Sequence, residues 1–197
     1  MSGALSKSNG WQEVAEIFMR TRNSRIGPSI VREWARDLAP GSVVLDLGCG
    51  HGVPISEALM EEGFTVYGID ASEKMIAAFR QRFPDAQVEC AAAEESAFFD
   101  RSFDAVIAWG LLFLLPPETQ PVVIQRAARA LKPGGKFLFT APAEKTTWED
   151  SLTGRESVSL GRERYVEILQ AAGLALSGEA SDQGGNHYYF AVKSTAA

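Results

Sequence analysis

The sequence predicts one α/β domain built on a mostly parallel sheet with helices on both faces. From Gly41 onward, apolar runs of five to seven residues alternate with stretches of helical period. That is the pattern of strands buried on both faces and joined by helical crossovers. The last two apolar runs are separated only by SDQGGN, too short for a parallel crossover, so the final strand should run antiparallel. A length of 197 residues, 46% of them hydrophobic and 22% charged, suits a single core that needs no staples.

The elements follow in order. The first forty residues hold two helices. The first, around Trp11–Met19, places Val14, Ile17 and Phe18 at helical spacing, and the second starts near Pro28 with Ile30, Val31, Trp34 and Leu38 on one face. Val43–Leu47 is a buried strand, followed by a helix over Pro54–Glu62 with proline in its first turn, where a missing N–H is harmless. Thr65–Asp70 is the second strand, and Ser72 caps a helix that runs through Arg82 and stops before Pro84. Ala86–Cys90 and Phe103–Trp109 are the third and fourth strands. Thr119–Leu131 is a helix ended by KPGG, and Lys136–Ala141 is the fifth strand. A long loop, PAEKTTWEDSLTGRESVSLG, precedes a helix near Arg162–Ala172. Leu174–Ala180 and His187–Lys193 close the sheet.

Several function classes are excluded at this level. The net charge is −6, whereas a nucleic-acid binder carries a basic patch or a high isoelectric point. The first forty residues hold six basic and four acidic side chains, so the acidity sits in the body. No apolar run approaches the roughly 18 residues of a membrane span, and the N-terminus has no apolar signal core. Cys49 and Cys90 are too few for a disulfide framework or a zinc site. The expectation is a cytoplasmic protein with no metal, no nucleic-acid partner and no membrane partner, as a monomer or homodimer.

The strongest chemical signal is VLDLGCGHG, residues 44–52, a strand ending in a glycine-rich turn that opens a helix. Glycines at 48, 50 and 52 let the backbone approach a ligand, and the helix start offers free N–H groups to an anion. Eighteen residues after Gly52 the second strand ends in Asp70, where a carboxylate can accept from both hydroxyls of a ribose. The residues point to a nucleoside cofactor. A dinucleotide fingerprint, G-x-G-x-x-G, would need glycine at position 53, which is Val53.

This spacing, with Asp46 just before the turn, resembles motif I of the class I S-adenosylmethionine-dependent methyltransferases. GIDAS (68–72), SFDAVIAW (102–109) and LKPGGKFLFTAP (131–142) resemble later segments of that family in the right order. The likeness covers about residues 41–142. It implies a Rossmann-like seven-stranded sheet of order 3-2-1-4-5-7-6 with strand 7 antiparallel. It also implies a helical leader or lid over residues 1–40 that belongs to the same domain as 41–197. The implied cofactor is S-adenosyl-L-methionine (AdoMet). Gly48, Gly50 and Gly52 would pass under its methionine portion, Asp46 would hold its amino group, and Asp70 would take the ribose. Ala71 and Met75 would pack on the adenine. Ala92 stands where the family often has an aspartate, so Ala93 or Glu94 would receive the adenine amine. Trp109 would lie beside the cofactor.

The rest of the site is thinner. Arg20, Arg22 and Arg25 lie in the leader, and Arg25 or Arg20 is expected to pair with the cofactor carboxylate, because guanidinium and carboxylate pair bidentately. His51 lies within the turn, where a helix start disfavours imidazolium. The fourth strand ends in Ala108-Trp109-Gly110-Leu111, unlike the [DNS]-P-P-[YFW] of exocyclic-amine methyltransferases. His187 is the remaining candidate base, and a histidine bonded to a loop is the competing reading of it. Trp148 and Arg155 are candidate walls of a substrate pocket. The expected activity is methyl transfer to an N, O or S atom of a small molecule. The alternatives are a nicotinamide-dependent oxidoreductase on a related fold and a non-catalytic AdoMet-binding scaffold.

Overall fold

The computed structural model describes residues 7–195, and the first six residues of the expected leader lie outside it. Helix α1 (Trp11–Thr21) and α2 (Pro28–Ala35) lead into β1 (Val43–Leu47), α3 (Ile55–Glu61), β2 (Thr65–Asp70), α4 (Glu73–Arg82) and β3 (Gln87–Cys90). Then come β4 (Phe103–Ala108), α5 (Thr119–Ala130), β5 (Leu131–Thr140), β6 (Thr146–Glu149), β7 (Glu156–Ser159), α6 (Arg162–Ala171), β8 (Leu174–Ser181) and β9 (His187–Lys193). Short 3-10 turns at Phe98–Asp100 and Leu112–Leu114 flank β4.

Seven strands form one sheet in the order β3-β2-β1-β4-β5-β9-β8. β1, β2, β3, β4 and β5 are parallel neighbours, while β9 runs antiparallel to both β5 and β8. This is the Rossmann-like order expected from the sequence, with the last two strands renumbered by the extra hairpin β6–β7. Successive side chains point to opposite faces, and both faces are packed. On β4, Ala105 and Ile107 join the cluster under α2 and α3 with Val31, Trp34 and Leu59. Val106 and Ala108 join the opposite cluster with Phe139, Tyr165 and Val123 of the α5–α6 side. Double-sided burial is why these strands read as unbroken apolar runs.

Local signals place several ends. Pro28 sits in the first turn of α2. Ser72 caps α4, its Oγ accepting from the Met75 N–H at 3.3 Å. Other boundaries differ from expectation. Pro54 precedes α3, as its N-cap residue, rather than opening it. Trp109 lies one residue beyond β4, which frees its ring to turn toward the carboxyl edge of the sheet. KPGG does not separate helix from strand: β5 begins at Leu131 and runs through it, with an irregularity where Phe103 pairs Leu131 and Ala105 pairs Lys136. The post-β5 loop contains β6–β7, whose mostly polar sequence and half-exposed faces carry no strand-like apolar run.

Candidate functional site

Strand order reverses between β1 and β4, so the connections leaving their carboxyl ends part in opposite directions and open a crevice, the usual ligand position of such sheets. A cavity of about 320 Å³ lies there, in the range of small-ligand sites. Its floor is the glycine turn after β1. Gly48 and Gly50 have φ of +71° and +55°, and the Gly48 and Cys49 N–H groups donate to Ile69 O at 2.8 and 3.0 Å, tying the turn to β2. A Cβ at Gly50 would meet nothing nearer than Met75 Sδ at 4.0 Å, so that position faces open space.

Two carboxyl groups face this floor. Asp70 ends β2 and accepts from Gly50 N–H at 2.9 Å through one oxygen and from Ser72 N–H at 2.8 Å through the other. Each oxygen retains a lone pair for a diol. Burial raises its pKa, and the two N–H donors oppose that rise. Asp46, 1% exposed, accepts from Ser56 Oγ at 2.5 Å. Burial pushes it up to about 7; the Ser56 hydroxyl lowers it and the charge of Asp70 raises it further. Such a carboxyl ionises readily once a cation is placed beside it.

The roof comes from the leader and from the segment after β4. Arg22, the C-cap of α1, lies over Trp109 with its guanidinium carbon 4.1 Å from the ring centroid, and 5.2 Å from the ring of Phe18. Its Nε and Nη2 are buried without a hydrogen-bond partner among the described residues. Burial lowers its pKa to about 10, offset by nearby Tyr188 and Asp182, so it stays charged at neutral pH. Trp109 Nε1 donates to Tyr188 Oη at 2.9 Å, and Tyr188 Oη donates to Asp182 at 2.5 Å. Phe18 also meets His51 edge-on at 6.1 Å. Burial depresses His51 to about 4, helped by Arg82 and Arg22, so the imidazole is neutral.

Of the residues singled out from the sequence, Asp46, Gly48, Gly50, Asp70, Ala71, Met75, Ala93, Glu94 and Trp109 all line this cavity. Gly52 does not. Its φ is +88° and a Cβ there would lie 2.7 Å from Phe83, so it serves packing against α4. Arg20 and Arg25 are exposed and off the cavity; the leader arginine that reaches it is Arg22, four residues after Phe18 on the inward side of α1. His187 is also off the cavity, with Nε2 3.1 Å from Glu179 Oε1 and Nδ1 3.4 Å from Ser181 Oγ; it is a structural histidine, bonded to the neighbouring strand β8 rather than to a loop. Its neighbour Asn186 lines the wall instead. Trp148 backs the wall through Phe113, ring centroids 5.4 Å apart, and Arg155 packs near Gly10 outside it. Asp150 and Leu152, from the turn of β6–β7, do line it. The sequence carried no signal for them beyond their place in a long loop.

The donor set fits AdoMet. Arg22 brings a guanidinium to the cavity that would suit a carboxylate, Asp46 a carboxyl that would suit an ammonium, Asp70 has lone pairs left for a ribose, and the Gly50 position leaves room for the chain between. The comparisons agree. Residues 44–135 match the family model of a methyltransferase domain. The cypemycin N-terminal methyltransferase of a Streptomyces species is 36% identical over 142 residues, 68% of this chain and 56% of that protein. The ubiquinone biosynthesis O-methyltransferase of Paracidovorax citrulli is 33% identical over 159 residues, 72% of this chain and 64% of that protein. The chain thus spans less than two thirds of the length of these relatives. Among solved structures, the Burkholderia thailandensis 1,6-didemethyltoxoflavin-N1-methyltransferase, bound to 1,6-didemethyltoxoflavin and S-adenosylhomocysteine, superposes with a TM-score of 0.73 at 18% identity. That match covers 98% of this chain and 92% of that one, a likeness of fold. A glycine turn after β1, an acid closing β2, this strand order and the match over residues 44–135 have one common reading: the chain belongs to the class I S-adenosylmethionine-dependent methyltransferases.

Proposed function

We propose that this protein uses AdoMet to methylate an N, O or S atom of a small molecule. The observation that carries this reading is the cavity itself: a glycine-floored site with an acid for a ribose, roofed by α1 and the β6–β7 turn, of about 320 Å³. A site covered by α1 and the β6–β7 turn suits a metabolite-sized acceptor better than a folded protein or a tRNA. The structural neighbour bound to 1,6-didemethyltoxoflavin and S-adenosylhomocysteine is in keeping with the same reading.

In this reading Gly48 and Gly50 pass under the methionine portion, Asp46 holds the ammonium, Arg22 the carboxylate and Asp70 the ribose. Ala71 and Met75 pack on the adenine, and Ala93 or Glu94 receives its amine. When bound, AdoMet supplies an electrophilic methyl carbon on a sulfonium, displaced in line by the acceptor's lone pair. The chain's own part is placement and dryness. Phe18, Trp109 and Leu111 wall the cavity with apolar surface that excludes water, and a well-held acceptor near the methyl needs little else. The acid–base side chains lining the cavity among the described residues are carboxyl groups rather than histidines, and an acceptor that already carries a lone pair at neutral pH needs no base.

The described part of the leader, residues 7–40, acts as a lid and belongs to the same domain. It joins the body through Gln12, whose side chain accepts from Ser72 Oγ at 2.7 Å, and through the Lys74–Glu16 ion pair at 2.9 Å. We place the protein in the cytoplasm, as a monomer or homodimer. Two unpaired cysteines suit a reducing compartment, and no helix among the described residues is long and apolar enough to cross a membrane. The test is incubation with methyl-labelled AdoMet and a metabolite extract. Label should enter small molecules. Binding without transfer would leave a scaffold, and label only in protein or RNA would overturn the acceptor class.

A further inference from the structure

Resting on the methyltransferase reading, we propose that Asp150 anchors a cationic group of the acceptor, so that the acceptor is an aromatic or apolar molecule carrying a protonated amine. Asp150 opens the turn of the β6–β7 hairpin. Its Oδ1 accepts from Leu152 N–H at 3.1 Å, Thr153 N–H at 2.8 Å and Thr153 Oγ1 at 2.9 Å. Its Oδ2 has no hydrogen-bond or ion-pair partner among the described residues, although the residue lines the cavity. One oxygen therefore fixes the carboxylate, and the other is held ready for a ligand.

The hairpin is clamped in place, which makes that orientation firm. The Trp148 ring packs on Phe113 at 5.4 Å, and Thr153 Cβ would lie 3.2 Å from a Cβ on Gly10 of the leader. Every other charged group facing the cavity has a partner or a place on the cofactor. Lys7 pairs with Glu95, Asp46 with Ser56, and Asp70 with two backbone N–H groups. Arg22 falls to the carboxylate end of AdoMet, and Glu94 lies with Ala93 at the adenine end. The remaining charge is negative and is flanked by Phe113 and Leu152. A carboxylate partly shielded from water by apolar walls selects a cation by charge and an aromatic or apolar body by contact. The cation is a handle and not the attacking atom, because an ammonium has no lone pair; methyl goes to a different atom of the acceptor.

The test uses the protein saturated with S-adenosylhomocysteine and three matched probes in calorimetry at pH 7.5: tryptamine, tryptophol and indole-3-propionate. Tryptamine should bind at least ten-fold more tightly than either of the others. Asp150→Asn keeps the Oδ1 acceptor that holds the turn and removes the charge. It should bring tryptamine within two-fold of tryptophol while leaving S-adenosylhomocysteine affinity unchanged. Equal binding of the three probes, no measurable tryptamine binding, or a preference that survives in Asp150→Asn overturns the proposal. Failure of the wild type to bind S-adenosylhomocysteine brings down the underlying reading together with it.

Discussion

The guanidinium of Arg22 is stacked on the indole of Trp109 at 4.1 Å, and the indole is fixed in turn by the hydrogen bond from its Nε1 to Tyr188 Oη. A leader residue and a residue at the end of β4 thus form one unit, which brings the positive charge of Arg22 to the cavity. Hydrogen bonds to a charged partner are worth about 1.5–3 kcal/mol, and each ~1.4 kcal/mol is ten-fold in affinity. Arg22→Ala is therefore expected to weaken AdoMet binding by roughly 10- to 100-fold, whereas Arg20→Ala and Arg25→Ala should stay within about two-fold. Calorimetry with AdoMet and with its decarboxylated form checks the cause: the loss should vanish when the carboxylate is absent.

The Tyr188 hydroxyl links Trp109 to Asp182, and all three groups depend on it. Tyr188→Phe strands the indole N–H in a largely buried site. A loss of about 1–3 kcal/mol in stability is expected, read from urea unfolding. It should be accompanied by weaker AdoMet binding, because the platform under Arg22 is loosened. Unchanged AdoMet affinity in a folded variant would separate the indole from the carboxylate site.

Glycines of the same turn should fail in different ways. Gly52→Ala sets a Cβ 2.7 Å from Phe83 at φ +88°, so its effect is on stability, on the order of 1–3 kcal/mol. Gly50→Ala meets no protein atom closer than 4.0 Å, and its Cβ projects toward the ligand. The fold should persist with only the roughly 1–2 kcal/mol of left-handed strain, while AdoMet affinity falls by more than ten-fold. Thermal melts with and without S-adenosylhomocysteine distinguish the two.

Asp46 is an acid raised in the fold from the ordinary carboxylate range to about 7, chiefly by burial. The native state therefore holds a proton that the unfolded state has released. That contribution to stability is fully present below the unfolded value and is lost as pH rises through about 7. Asp46 thus gives the ligand-free protein a falling slope of stability between about pH 4 and pH 7, opposed by His51, whose lowered pKa adds stability as pH rises from about 4. Asp46→Asn keeps an acceptor for Ser56 and should flatten that slope. Urea midpoints across the range, compared between the two proteins, measure the difference.

Much of this was legible in the chain. The alternation of apolar runs with helices fixed the class, the short SDQGGN turn required an antiparallel last strand, and Asp46, the glycines and Asp70 marked the ligand edge. Each is a local signal, set by burial on two faces, by chain reversal or by spacing along one βα turn. Which leader arginine faces the ligand was not local. Arg20, Arg22 and Arg25 are chemically alike, and only the docking of α1 on Trp109 and His51 turns Arg22 inward. The same is true of His187, whose side chain is claimed by Glu179 across the β8–β9 pair, and of Asp150, whose hairpin has too little apolar sequence to announce itself. Sequence determined the sheet and the cofactor edge because each leaves a local pattern in the chain, an apolar run buried on two faces or a glycine turn after a strand. Tertiary structure decided the roof, because its side chains converge from segments more than a hundred residues apart.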